Sequence, residues 1–264
     1  MRRIIYSAAN RTLRRLGWEV HRVRPAVETD LDPHNPPPPF MSGEPPWVLD
    51  IIERVRPFTM TSPERVASLC HAVEYIVRRE LPGNVVECGV WRGGSMMAAA
   101  LALLHLKETA RSIYLFDTYE GMTSPTQKDK RVGLDLSASA MLAAAPHSHV
   151  LWGISQIDEV KANLRSTGYP AERIHFIKGP VEHTIPGHAP DQICLLRLDT
   201  DWYESTRHEL FHLYPRLCTG GVLIVDDYGW WEGQRKATDE YISKHNLALL
   251  TIRIDPCAMI TIKT

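Results

Sequence analysis

Asp199, Asp226 and Asp227 are the residues whose type and spacing most clearly suggest chemistry. Leu195-Leu196-Arg197-Leu198 runs into Asp199-Thr200-Asp201, and Gly221-Val222-Leu223-Ile224-Val225 runs into Asp226-Asp227. Runs this rich in Leu, Ile and Val read as strands buried on both faces, hence as parallel strands of an α/β sheet. Parallel strands joined by a right-handed helical crossover usually lie side by side, with their carboxyl ends at the edge where open α/β sheets bind ligands. The three carboxylates are therefore expected to converge. So placed they repel one another unless a cation, a proton or a basic group sits among them. A single Asp there is well explained as a helix cap. Three at two matched strand ends favour a site for a divalent metal ion.

A second constellation lies upstream. Asn84-Val85-Val86-Glu87-Cys88 reads as a strand that passes through Gly89-Val90-Trp91-Arg92-Gly93-Gly94-Ser95 into an Ala/Leu-rich helix ending near His105. Glycines there let a ligand approach the backbone, and the helix start offers free N–H groups. The glycine spacing fits neither GxGxxG nor a P-loop. Glu87 would repel a pyrophosphate and attract a ligand with a cationic group. The next strand, Ser112–Phe116, ends in Asp117, placed about where Rossmann-like folds put the carboxylate that takes ribose hydroxyls. A cap or turn role is the plainer reading of Asp117.

The elements that must position these residues follow in order. A short helix spans 47–55, and Ser62-Pro63-Glu64 opens a helix to about Glu80. After Asp117 come Glu120-Gly121-Met122, a polar segment from Thr123 to Gly133, and a small-residue helix around 137–145. An excursion that long between strands reads as a lid. A third strand covers 173–178 and runs into Gly179; helices are expected at 205–217 and 234–245, and a closing hairpin at 249–254 and 258–263. This alternation predicts an α/β, Rossmann-like sheet, mostly parallel with one antiparallel strand and flanked by helices.

The chain has 264 residues, 44% hydrophobic and 23% charged, with a net charge of −1. That is ordinary for a globular protein and argues against general nucleic-acid binding. The five cysteines form no CxxC pair, which suits reduced thiols in a cytoplasmic protein. Residues 1–24 are set apart, with seven arginines against the single acid Glu19. Their apolar residues fall on one helical face without the continuous core of a signal peptide. Packing on the protein's own domain or on a neighbouring subunit is preferred for this helix over lying on an anionic membrane. Proline-rich residues 25–46 complete the arm as an extended strap, leaving 47–264 as the main domain.

The segments Val86–Gly94, Phe116–Met122, Leu196–Thr206, Leu213–Leu217 and Val225–Gly229 together resemble the macrocin O-methyltransferase family (TylF/MycF type). The resemblance covers about residues 84–240 and implies a class I methyltransferase fold. It also implies transfer of a methyl group from S-adenosylmethionine to a sugar or other polyhydroxy natural product in antibiotic biosynthesis, with Mg2+ as metal. Asp199, Asp226 and Asp227 become the metal ligands, with Asp199 also suited to take the acceptor proton. Glu87, Gly89, Val90, Ser95, Asp117, Thr118, Lys178, Gly179 and Asp199 are expected around the donor. His183 and His208 are the rival bases. The family's Asp-Gly-Asp reads Asp199-Thr200-Asp201 here, and 229–233 is aromatic, which places the departures on the acceptor side. A nucleotide-dependent sugar oxidoreductase or epimerase is the enzyme alternative, and a non-catalytic binding protein on the same fold the other. The first would want GxGxxG and a Tyr-x-x-x-Lys pair; the second would be expected to lose a metal carboxylate.

Overall fold

A computed structural model describes residues 43–264. The predicted basic helix and all but the last residues of the strap lie outside the described residues. The first helix, α1 (Pro46–Val55), buries Val48, Ile51, Ile52 and Val55, a spacing that makes one apolar face. In α2 (Pro63–Arg78) the Ser62 hydroxyl accepts the Arg65 N–H and Pro63 occupies the first turn, as expected. Strand β1 (Asn84–Cys88) leads into α3 (Gly94–His105), whose first ten residues are all buried because it packs against both α1 and α2.

The remaining elements are β2 (Ile113–Asp117), α4 (Ala138–Ala144), α5 (Ile157–Arg165), β3 (Ile174–Lys178) and the single turn α6 (Val181–Thr184). They are followed by β4 (Ile193–Leu198), α7 (Tyr203–Leu213), β5 (Leu217–Val225), α8 (Glu232–Lys244), β6 (Ile252–Arg253) and β7 (Met259–Ile262). The strand order is β3-β2-β1-β4-β5-β7-β6, and β7 pairs antiparallel with both neighbours. The chain order reverses direction between β1 and β4, the switch point where such sheets bind ligands.

Several boundaries differ from expectation, and the first arm of the closing hairpin, expected at 249–254, covers only Ile252–Arg253. The second half of the supposed lid contains α5, the crossover helix that a parallel β2–β3 connection needs. Only Val160 and Leu164 of α5 are buried, so its periodicity is faint. Helix α7 begins at Tyr203 and stops at Leu213, where Pro215 turns the chain and Leu217 already opens β5. Helix α8 starts two residues early, at Glu232.

The ladder continues one residue past several strands. Asp199 N–H donates to Cys88 O at 2.8 Å, Asp226 N–H to Leu198 O at 2.9 Å, and Gly89 N–H to Phe116 O at 2.9 Å. Those bonds bring the strand tips level and so fix where the acids emerge. Among the described residues, no helix is long and apolar enough to cross a membrane.

Candidate functional site

A cavity of about 520 Å3 opens at these strand tips, a size suited to a cofactor or small molecule. One part of its wall is the Gly89 turn, Ser95, Asp117, Thr118 and Gly179; another is Asp199, Asp201, Asp226 and Asp227. Gly89 holds φ +82, and a Cβ there would run into the Asp199 carbonyl oxygen. Close approach of two backbones therefore demands glycine here, before any ligand is considered.

Asp117 organises that turn. Its Oδ2 accepts the N–H groups of Val90 (2.6 Å) and Trp91 (3.1 Å), and its Oδ1 accepts that of Tyr119 (2.7 Å). Burial raises its pKa, and the three backbone donors oppose the rise. The Thr118 hydroxyl has one proton and lies closer to Gly121 O (2.6 Å) than to Asp117 Oδ1 (3.3 Å). Oδ1 thus keeps capacity for one further donor, such as a ligand hydroxyl.

Of the expected donor residues, Gly89, Val90, Ser95, Asp117, Thr118, Gly179 and Asp199 line the cavity. Glu87 and Lys178 stand outside its lining. Lys178 pairs with Glu120 at 2.8 Å. Glu87 is buried behind the turn, where the cation it meets is Arg197, 2.7 Å from its Oε1. Burial pushes Glu87 up to about 8, with Arg197 pulling the other way.

The expected convergence is present: Asp199, Asp226 and Asp227 each offer an oxygen, all within 4.8 Å of one another. Two guanidiniums sit among the acids. Arg197 Nη1 bonds Glu87 and Asp199 Oδ2 (2.8 Å), and its Nη2 lies 2.6 Å from Asp226 Oδ1. That last contact is an ion pair without hydrogen-bond alignment, since both atoms lack a hydrogen-bond partner. Arg65 reaches in from α2, with Nη1 2.5 Å from Asp226 Oδ2 and Nε 2.7 Å from Asp255 Oδ2. Asp255 is held in turn by the N–H groups of Cys257 and Ala258.

Asp201 joins the cluster although the sequence reading assigned it no role. It sits at φ +68 and accepts the Trp231 indole N–H at 3.1 Å. Asp199 and Asp201 are both held well above the usual carboxylate range, by burial first and then by neighbouring carboxylates. Two unit charges 4 Å apart interact by about 4 kcal/mol at an effective dielectric constant of 20. Two arginines do not balance this many acids, so the cluster holds protons or takes a cation. Oxygen-only donors with an unaligned Asp226 oxygen among them fit a hard divalent ion such as Mg2+.

Neither proposed histidine base lines the cavity. His183 is exposed, and His208 points its Nε2 at Ile185 O, 3.0 Å away. The histidine in the wall is His149. The segment 229–233 puts two aromatic side chains into the cavity wall, Trp230 and Trp231, and Trp231 packs edge-on against Trp202 at 5.1 Å. The polar segment beside them is fastened through Asp129, which is buried and accepts the Tyr203 N–H at 2.7 Å. Gly233 leaves the room Asp129 needs, because a Cβ there would strike its carboxylate.

One of the two arginines carries a signal in the sequence. Arg197 is a lone cation in an apolar strand and must be paired. Arg65 had none, since it looks like any charge on an amphipathic helix.

The macrocin-O-methyltransferase (TylF) family model matches residues 54–262. The 8-demethyl-8-(2,3-dimethoxy-alpha-L-rhamnosyl)-tetracenomycin-C 4'-O-methyltransferase of Streptomyces olivaceus is 33% identical over 72% of this chain and 69% of its own length. The demethyldecarbamoylnovobiocin O-methyltransferase of Streptomyces niveus is 32% identical over 75% and 72%. Among solved structures, the O-methyltransferase NovP superposes with a TM-score of 0.69 at 29% identity, covering 78% of this chain and 82% of that one. The calicheamicin methyltransferase CalS11 (TM-score 0.59, 18% identity, 82% and 91% covered) shares the fold.

Proposed function

The chain belongs to the macrocin-O-methyltransferase family, and on that premise we propose that it moves a methyl group from S-adenosylmethionine to a hydroxyl of a sugar or other polyhydroxy natural product, with Mg2+ at Asp199, Asp226 and Asp227. The observation that carries the reading is the convergence of those carboxylates on the cavity that the Gly89 turn and Asp117 also line. The two relatives' names point the same way, since one includes a rhamnosyl group and the other names a novobiocin compound. Those names support a role in antibiotic-type biosynthesis.

A sulfonium donor carries its own activation, so the protein's task is to align it and supply a nucleophile. Gly89, Val90, Ser95, Thr118 and Gly179 shape the donor's wall, and Asp117 Oδ1 takes a ribose hydroxyl. Glu87 acts from behind, through Arg197. An alcohol is a poor nucleophile while it keeps its proton, and a divalent ion supplies the Lewis acidity that lowers its pKa. Asp199 accepts the acceptor proton; Arg197 fixes its Oδ2. Asp201 stands beside it, held by Trp231. Trp230 and Trp231 form the acceptor wall and exclude water, which strengthens the charge interactions inside.

Release of S-adenosylhomocysteine in a panel of glycosylated and free polyhydroxy acceptors tests this reading. The expected result is turnover with Mg2+ and at least one acceptor. Tight NAD binding by calorimetry with no binding of the sulfonium donor would overturn it.

A further inference from the structure

Thr200 stands between the two carboxylates of the turn after β4, where the resembling family motif carries glycine. The left-handed residue of this turn is Asp201, at φ +68, so a side chain at 200 brings no such strain. The Thr200 hydroxyl donates to Glu209 Oε1 at 2.8 Å. Glu209 lies on the inner face of α7, fully buried, and its Oε2 has no hydrogen-bond partner among the described residues. Burial pushes its pKa up to about 8, the Thr200 bond opposes this, and Glu182 adds to it.

A leucine would suit that helix–sheet interface better than a carboxyl with one orphaned oxygen. Among the described residues, the one hydrogen bond that the buried carboxyl makes is with the middle of the turn. The two carboxylates are also held from outside the turn, by Arg197 and Trp231. The backbone of the turn is tied through Asp199 N–H to Cys88 O and Trp202 N–H to Thr200 O, both at 2.8 Å, with the Ser205 hydroxyl 3.4 Å from Thr200 O. On the Thr200 side chain the tie is Glu209. A left-handed Asp costs about 1–3 kcal/mol and persists only where the surroundings over-determine it.

We infer that Glu209, acting through Thr200, is a positioning residue for the turn 199–201: it holds Asp199 beside Asp226 and Asp227, and Asp201 against Trp231. The part of this inference that concerns metal rests on the reading of the carboxylates given above. The part that concerns the turn does not.

The test uses the full chain and four proteins: unaltered, Glu209→Gln, Glu209→Leu and Thr200→Val. Amide hydrogen exchange of residues 199–202 is followed without metal, and Mn2+ alone is titrated by electron paramagnetic resonance. Loss of the buttress should speed exchange of this segment about tenfold. It should also weaken Mn2+ by about 10–100-fold, as loss of a ligand's supporting hydrogen bonds does. Glu209→Leu and Thr200→Val should both show these effects, while Glu209→Gln, which keeps an oxygen acceptor, should match the unaltered protein. Thr200→Val carries the same test if the Leu variant does not fold. Unchanged exchange in both the Leu and Val variants would overturn the inference, as would a Gln variant as loose as the Leu variant. Failure of the unaltered protein to bind Mn2+ would sink the metal reading alone, and the exchange comparison would still decide the role of Glu209.

Discussion

A single nitrogen of Arg197, Nη1, bridges Glu87 at 2.7 Å and Asp199 at 2.8 Å. The register explains the first contact, since Arg197 lies directly opposite Glu87 across the β1–β4 ladder. The second follows from position, because Asp199 points to the same face two residues on. The strand that feeds the Gly89 turn and the cluster of carboxylates are thus joined by one buried cation.

Arg197→Met should therefore destabilise the protein by about 3–5 kcal/mol, the usual effect of leaving buried acids without their partner. Denaturant unfolding measures it. Adding Glu87→Gln to that variant should restore part of the loss, because one uncompensated charge is gone.

Gly89→Ala should be as damaging, for a different reason. The left-handed φ alone costs about 1–3 kcal/mol, and the new methyl would push the Asp199 carbonyl aside. The expected outcome is a lower Tm together with weakened metal binding.

Asp117→Ala should weaken S-adenosylmethionine binding by about 1–3 kcal/mol, the range for losing charge-assisted hydrogen bonds. Isothermal titration calorimetry reads this directly. Some of the loss comes from the Gly89 turn, whose Val90 and Trp91 N–H groups lose their acceptor.

The acid-tipped strands and the cavity wall were legible in the sequence because long Leu/Ile/Val runs ending in Asp have few other meanings. The convergence of Asp199, Asp226 and Asp227 follows from topology alone. What was hidden depends on tertiary distance. Arg65 reaches Asp226 across 161 residues of chain, and α5 shows only two inward residues. Glu87 looks ligand-facing in the sequence because its partner, Arg197, lies 110 residues away inside an apolar run.

The stability of the metal-free protein should fall as pH rises through the range where Glu209 loses its proton. Burial pushes its pKa up to about 8, from about 4.5 for an ordinary glutamate. A raised pKa means that the stabilising proton is fully bound below about 4.5 and is lost as pH approaches 8. The groups facing it are Thr200, Glu182 and the Cys88 thiol, itself raised by burial and then by Glu209. Glu209→Gln should flatten this part of the profile and be the more stable protein at pH 8. A stability difference between the two proteins that is the same at pH 5 and pH 8 would contradict it.

Methyl transfer is expected to depend on a divalent ion held by Asp199, Asp226 and Asp227. Asp199→Asn nearly preserves shape while removing charge and basicity, and it leaves Asp117 and the Gly89 turn intact. The decisive measurement is S-adenosylhomocysteine release by the unaltered enzyme with and without EDTA, beside that of Asp199→Asn, on an accepted substrate. We expect turnover to fall by orders of magnitude in both cases, with donor binding to Asp199→Asn close to normal. Turnover that survives both EDTA and Asp199→Asn would contradict the metal mechanism.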